Sequence, residues 1–211
     1  MTVKSLALAA TAALGLAAAA APASATTYDF DPLSGQSFTN GGSPSTLSLN
    51  GATFSTSSPG VTFGFLASNG SYLTLGNTVL SETSGVGDPL TISFAQAQSG
   101  ISFNYAVEDG FALNGNDTLT LTTNTGFSES VNPTLSSNPN ALYPEGLFTL
   151  AGGQPFTSIT LTATDGGGAE TLAIGNLAST PVPLPGALWL LGSGLLGLGG
   201  VGVARRGAVK V

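Results

Sequence analysis

Residues 90–107 read LTISFAQAQSGISFNYAV. Leu90, Ile92 and Phe94 alternate with Thr91 and Ser93, and Ile101, Phe103, Tyr105 and Val107 repeat the alternation. A period of two belongs to an extended strand, whose successive side chains point to opposite faces; a helix would space its apolar residues three or four apart. The stretch predicts two half-buried strands, 90–95 and 101–107.

The same pattern recurs on both sides. Val61, Phe63 and Phe65 alternate with Thr62 and Gly64, Leu119 and Leu121 follow, and Ile159, Leu161 and Ala163 close the series. Nine strands are expected, at 47–54, 61–67, 72–75, 90–95, 101–107, 118–123, 147–150, 158–164 and 171–177. Asn69-Gly70 is a two-residue hairpin signal, Asn114-Gly115 and the Asp-Gly-Gly-Gly run at 165–168 mark further turns, and 132–144 reads as one longer loop. Nine short strands at this spacing suit an all-β domain, an antiparallel two-sheet sandwich of jelly-roll type. The alternative, a β-helix, would need a fixed-period repeat, and none is present.

Phe63, Phe65, Phe94, Phe103 and Tyr105 fall on the inward phase and are expected in the core. Tyr28, Tyr72, Phe111 and Tyr143 fall at strand ends or in loops. All four are better placed than the core aromatics for stacking on a sugar ring, Tyr72 and Tyr143 above all; the plainer reading makes them loop anchors.

The 211 residues allow one ordinary domain with short terminal segments. The only basic residues are Lys4, Arg205, Arg206 and Lys210, whereas all eleven acids lie between Asp29 and Glu170. A domain with acids and no bases repels phosphate backbones, so nucleic acid is excluded as a partner. There is no His and no Cys, so a Ser or Thr nucleophile has no base and a His/Cys zinc site has no ligands. A carboxylate pair acting on a glycoside would remain, but the adjacent Glu108 and Asp109 would point to opposite faces of a strand. No enzymatic activity is expected.

The acids have no salt-bridge partners, and hard cations favour carboxylate and backbone oxygens. Three Asp/Asn/Gly-bearing segments, 108–110, 114–117 and 165–170, are therefore candidate structural calcium loops, with Asp109, Asn116, Asp117, Asp165 and Glu170 as ligands. No other cofactor is implied.

Both ends read as addresses. Lys4, an apolar stretch from Leu6 to Ala21, Pro22 and the triplet Ala23-Ser24-Ala25 follow the order of a secretory signal peptide over 1–25, cut after Ala25 by signal peptidase once the Sec translocon has engaged it. That leaves a passenger domain at 26–179 and a tail at 180–211. In the tail, 187–204 carries no charge and would be about 27 Å long as a helix, close to the ~30 Å of a bilayer core. Trp189 lies near its outer end, and Arg205 and Arg206 follow on the side that the positive-inside rule assigns to the cytoplasm.

Val182-Pro183-Leu184-Pro185, the Gly/Leu-rich span and the basic end, in that order, resemble the tripartite PEP-CTERM sorting signal of Gram-negative bacteria in its VPLP variant. The resemblance implies Sec export, a transient inner-membrane anchor facing the periplasm, and removal of the tail by an exosortase-like protease. It also implies release to the cell surface or matrix, in association with exopolysaccharide. The family's central Glu is Leu184 here, so a protease that reads that carboxylate would leave the tail in place as a permanent anchor. The two prolines, with fixed φ and no N–H, keep the segment extended and out of helix. The ending at 156–177 resembles the last hairpin of small jelly-roll domains common in such passengers and related to carbohydrate-binding modules. Those end in Ile-Asp-Asn, where this chain has Ile174-Gly175-Asn176.

Overall fold

The period-two segments do form strands, and every pairing among them is antiparallel. The computed structural model describes residues 24–68, 70–108, 117–134, 142–165 and 168–183. The signal segment to Ala23, Phe111, Asp109, Asn116, Leu184, Pro185, the expected tail helix at 187–204, Arg205 and Arg206 lie outside them. Among the described residues, no helix is long and apolar enough to cross a membrane.

Ser24–Val182 form one compact unit. Its strands are β1 (Thr26–Thr27), β2 (Ser37–Thr39), β3 (Leu47–Leu49), β4 (Ala52–Thr56), β5 (Thr62–Ala67), β6 (Thr78–Glu82), β7 (Leu90–Glu108), β8 (Asp117–Thr123), β9 (Ser128–Val131), β10 (Glu145–Asp165) and β11 (Gly168–Pro181). One short 3-10 turn, Asp31–Leu33, is the only helical element among the described residues.

The decisive segment is not two strands but one. β7 runs unbroken through 90–108, and 147–150 and 158–164 likewise merge into β10. Each long strand serves two sets of neighbours. The first half of β7 pairs with β4 (Phe94 opposite Ala52) and with the second half of β10 (Ile92 opposite Ile159); β10 then pairs with β8, and β8 with β9. The second half of β7 pairs with the first half of β10 (Phe103 opposite Phe148) and with β11 (Tyr105 opposite Ile174), and the set continues through β6, β5 and β2. The register of β10 shifts between Ala151 and Ser158, across the Gly152-Gly153 bulge. A bulge bends and twists a strand without reversing it, so a glycine pair that resembles a turn only redirects the chain.

Both sets contribute to one core. Phe54 of β4 and Phe65 of β5 meet edge to face with centroids 5.7 Å apart, and Phe30 packs against both at 5.8 and 5.2 Å. The expected inward residues Phe63, Phe65, Phe94, Phe103 and Tyr105 are all buried there. So is Tyr28, whose hydroxyl shares a 3.0 Å hydrogen bond with Ser179; it is not a surface aromatic.

Two turns depart from expectation. The segment 47–54 folds back at Asn50-Gly51, with φ of 49° and 82°, so it is the hairpin β3–β4. Positive φ at both central residues is the requirement of a type I′ turn, which Asn-Gly meets at least cost. Asn69-Gly70, in contrast, does not join two strands directly. The β5–β6 connection spans 68–77, closed by Ser68 N–H donating to Asn77 O at 2.8 Å.

Candidate functional site

The 68–77 connection decides what happens on one outer face. Val79, Ala106 and Ala173 alternate with core residues on β6, β7 and β11, so they point away from the main core. They are nevertheless fully buried, because Leu75 lies on them and completes a second apolar cluster, with Tyr72 and Tyr143 packed against it.

Residues 72–75 are therefore a covering loop and not the strand expected there. Their backbone N–H groups have a different acceptor: the Glu145 carboxylate takes Leu73 N–H at 2.6 Å, Thr74 N–H at 2.8 Å and the Thr74 hydroxyl. On the other side, Asn176 donates its side-chain N–H to Thr74 O at 2.7 Å. Gly175 makes the close approach possible, since a Cβ there would lie 1.8 Å from Leu75 O. Any side chain at this position would meet the loop, whose Leu75 backbone occupies the space. Glu145→Gln removes the charge and one of the two acceptor oxygens, and is expected to lower stability by about 1–3 kcal/mol, read as an equilibrium shift in urea titration.

The two candidate tyrosines come together on this loop. Their rings stack at 5.5 Å with 28° between planes, the Tyr72 hydroxyl donates to Glu108, and Ser81 donates to the same carboxylate at 2.9 Å. Burial, reinforced by the Glu108 carboxylate, pushes both phenols above their ordinary pKa, Tyr72 far above it. Both remain protonated at physiological pH. Flanking the pair, Leu73 and Leu142 are 40 % and 59 % exposed.

The register also sets Glu108 and Glu145 on one face of neighbouring strands, with Glu145 opposite Ala106. That diagonal places the two residues roughly 7–8 Å apart. Glu145 accepts from the loop, and Glu108 accepts from Tyr72 of that loop and from Ser81.

A second pair of acids is used in the same way. Glu82 accepts from the Ser84 hydroxyl at 2.7 Å and from Val86, Gly87 and Asp88 N–H at 2.9, 3.2 and 3.0 Å. Asp88 accepts from Ser57 and Ser58 N–H at 3.1 and 3.2 Å and from the Thr56 and Ser58 hydroxyls. Burial works to raise the Asp88 pKa, but the hydrogen bonds from Ser58, Thr56 and Ser57 outweigh it and the net direction is downward. A carboxyl depressed in the folded state stabilises fully above its unfolded pKa of ~3.9 and loses that contribution as pH falls through the folded value. Melting temperature should therefore fall below about pH 4, and the fall should be shallower in Asp88→Asn, which lacks this titration.

Of these four acids, only Glu108 stands out by position in the sequence, as the start of the 108–110 segment. The available signal for the others is global: a carboxylate in a domain without cationic side chains must find N–H and O–H donors. Of the candidate calcium ligands, Asp117 stands opposite Asp165 and Glu170 opposite Ala163, which puts the three on one face at the ends of β8, β10 and β11. Among the described residues, no group of three or more Asp or Glu side chains converges closely enough to hold a metal ion.

No family model and no curated protein matches the chain. Among solved structures, a mutant of the family 29 carbohydrate-binding module CBM29-2, complexed with mannohexaose, is 14 % identical over 76 % of this chain and 93 % of its own, with a TM-score of 0.41. The CBM22-1 xylan-binding domain of Paenibacillus barcinonensis Xyn10C is 11 % identical over 79 % of this chain and 100 % of its own, also at 0.41. At such TM-scores neither likeness carries weight for ligand or site.

Proposed function

We propose that this protein is an exported, non-catalytic surface or matrix module, a jelly-roll-like sandwich that holds polysaccharide on its Tyr72–Tyr143 surface. The observation that carries the reading is the arrangement of the domain's two ends. Thr26 pairs with Ser179, and Val182 donates its N–H to Ala97 O at 2.8 Å, so the mature chain enters and leaves the domain beside the same part of β7. Glu108, which holds Tyr72, is ten residues further along that strand than Gln98, the partner of Pro181; at ~3.3 Å per residue this is about 33 Å. Within the domain, the tyrosines therefore lie toward the end of β7 remote from the point where the chain leaves it at Val182.

Delivery follows from the ends of the sequence. Sec export and signal peptidase cleavage after Ala25 free the N-terminus, and the tail anchors the chain in the inner membrane until an exosortase-like protease acts at Val182–Pro185. The commitment of Glu82, Asp88, Glu108 and Glu145 to loop N–H and O–H donors supports the absence of catalysis. Intact-mass spectrometry of the protein from the host's medium and envelope tests the delivery. The expected species starts at Thr26 and ends between Pro183 and Gly186. Retention of Trp189 and the arginines in membrane fractions would instead make this a tail-anchored surface protein, with Leu184 the reason for the uncut tail.

A further inference from the structure

The surface around the tyrosine pair is apolar and aromatic at its centre and one-signed in its charge. Tyr72 and Tyr143 stack, Leu73 and Leu142 extend exposed apolar area beside them, and the charged groups identified beneath are the carboxylates Glu108 and Glu145. No Lys, Arg or His occurs anywhere between Lys4 and Arg205. A polymer bearing uronate, sulfate or phosphate would bring like charge to this surface with no cation to meet it, and charge complementarity decides which partners are rejected as much as which are held. Glu145 accepts on both oxygens, from Leu73 and Thr74, and Glu108 accepts on Oε1 from Tyr72 and Ser81, so both carboxylates already hold the surface together from within the chain.

We infer that the Tyr72–Tyr143 surface takes a neutral glycan and binds it without a cation. The inference rests on the polysaccharide-holding reading above and narrows it to a chemical class. Uncharged pyranose rings offer apolar C–H faces to the aromatic and leucine side chains, and they bring no charge that must be desolvated against Glu108 and Glu145.

The test is affinity electrophoresis of the protein purified from its host, through native gels containing glucomannan, a β-1,3-glucan, alginate or polygalacturonate, each with and without EDTA. The expected result is retardation by at least one neutral polymer, unchanged by EDTA, and weakened at least about tenfold in Kd by Tyr143→Ala. Because Tyr143→Ala could disturb the loop, Leu142→Ser serves as a second variant at a 59 % exposed position; it should weaken binding with the melting temperature unchanged. Retardation only by alginate or polygalacturonate, or retardation abolished by EDTA, would overturn the neutral-glycan inference and leave the polysaccharide reading standing. Mobility unaltered in all four gels would sink the polysaccharide reading and this inference with it.

Discussion

Gly175→Ala is expected to destabilise the domain by about 2–4 kcal/mol and to release the 68–77 loop. The Cβ it adds would sit 1.8 Å from Leu75 O and 2.7 Å from Leu75 C, contacts with backbone that no rotamer change relieves. Either the loop lifts or β11 shifts. If the loop lifts, Leu75 leaves Val79, Ala106 and Ala173, the Glu145 bonds to Leu73 and Thr74 break, and Tyr72 loses its support against Tyr143. Urea denaturation reads the free energy, and limited proteolysis reads the loop: cleavage within 70–77 should become much faster than in the parent protein. Gly175→Asp should be worse than Gly175→Ala, since it adds a carboxylate to the same clash. A Gly175→Ala protein with unchanged stability and unchanged protease resistance would show that Leu75 does not pass over β11 in solution.

Glu82→Ala is expected to cost about 3–5 kcal/mol, because three backbone N–H groups and one hydroxyl lose their acceptor at a position only 4 % exposed. Glu82→Gln keeps one oxygen and should cost roughly half as much. The two carboxylates are linked through one residue, since Asp88 donates its N–H to Glu82 while its own side chain holds Ser57 and Ser58. Loss of one should therefore loosen the other, and Glu82→Gln combined with Asp88→Asn should fall short of the sum of the single effects by about 0.5–3 kcal/mol. Strict additivity would mean that the 84–88 and 56–58 turns are held independently.

Both predictions concern features that alternation does not report. The period-two pattern identified the strand content correctly around 61–67, 90–95, 101–107, 118–123 and 158–164, because alternation is the local consequence of one face meeting a core. It could not distinguish two strands separated by a turn from one strand that bends, so β7 and β10 were each divided. The Asn50-Gly51 turn carries the same dipeptide chemistry as Asn69-Gly70, but it sits inside a run that reads as a single strand. The segment 72–75 reads as a strand because Leu73 and Leu75 alternate with Thr74, yet the Leu73 and Thr74 N–H groups go to Glu145, some 70 residues away in the chain.

The candidate site divides along the same line. Tyr72 and Tyr143 stand apart from the core aromatics by their positions at strand ends or in loops, a criterion that also takes in Tyr28, which the structure buries. Their stacking, and the two glutamates that fix the loop beneath them, required the chain to bring 72, 108 and 143–145 together.

By itself, the sequence determined the all-β class, the residues of the main core and the absence of any cation within the domain, because these depend on side-chain alternation and composition, which are local or additive. The tertiary structure decided which strands run on through a bulge, which outer face is covered, and where each acid spends its charge. The physical reason is that a buried N–H must find an acceptor, and a carboxylate its donors, wherever long-range packing delivers one; for residues 72–75 that acceptor is Glu145.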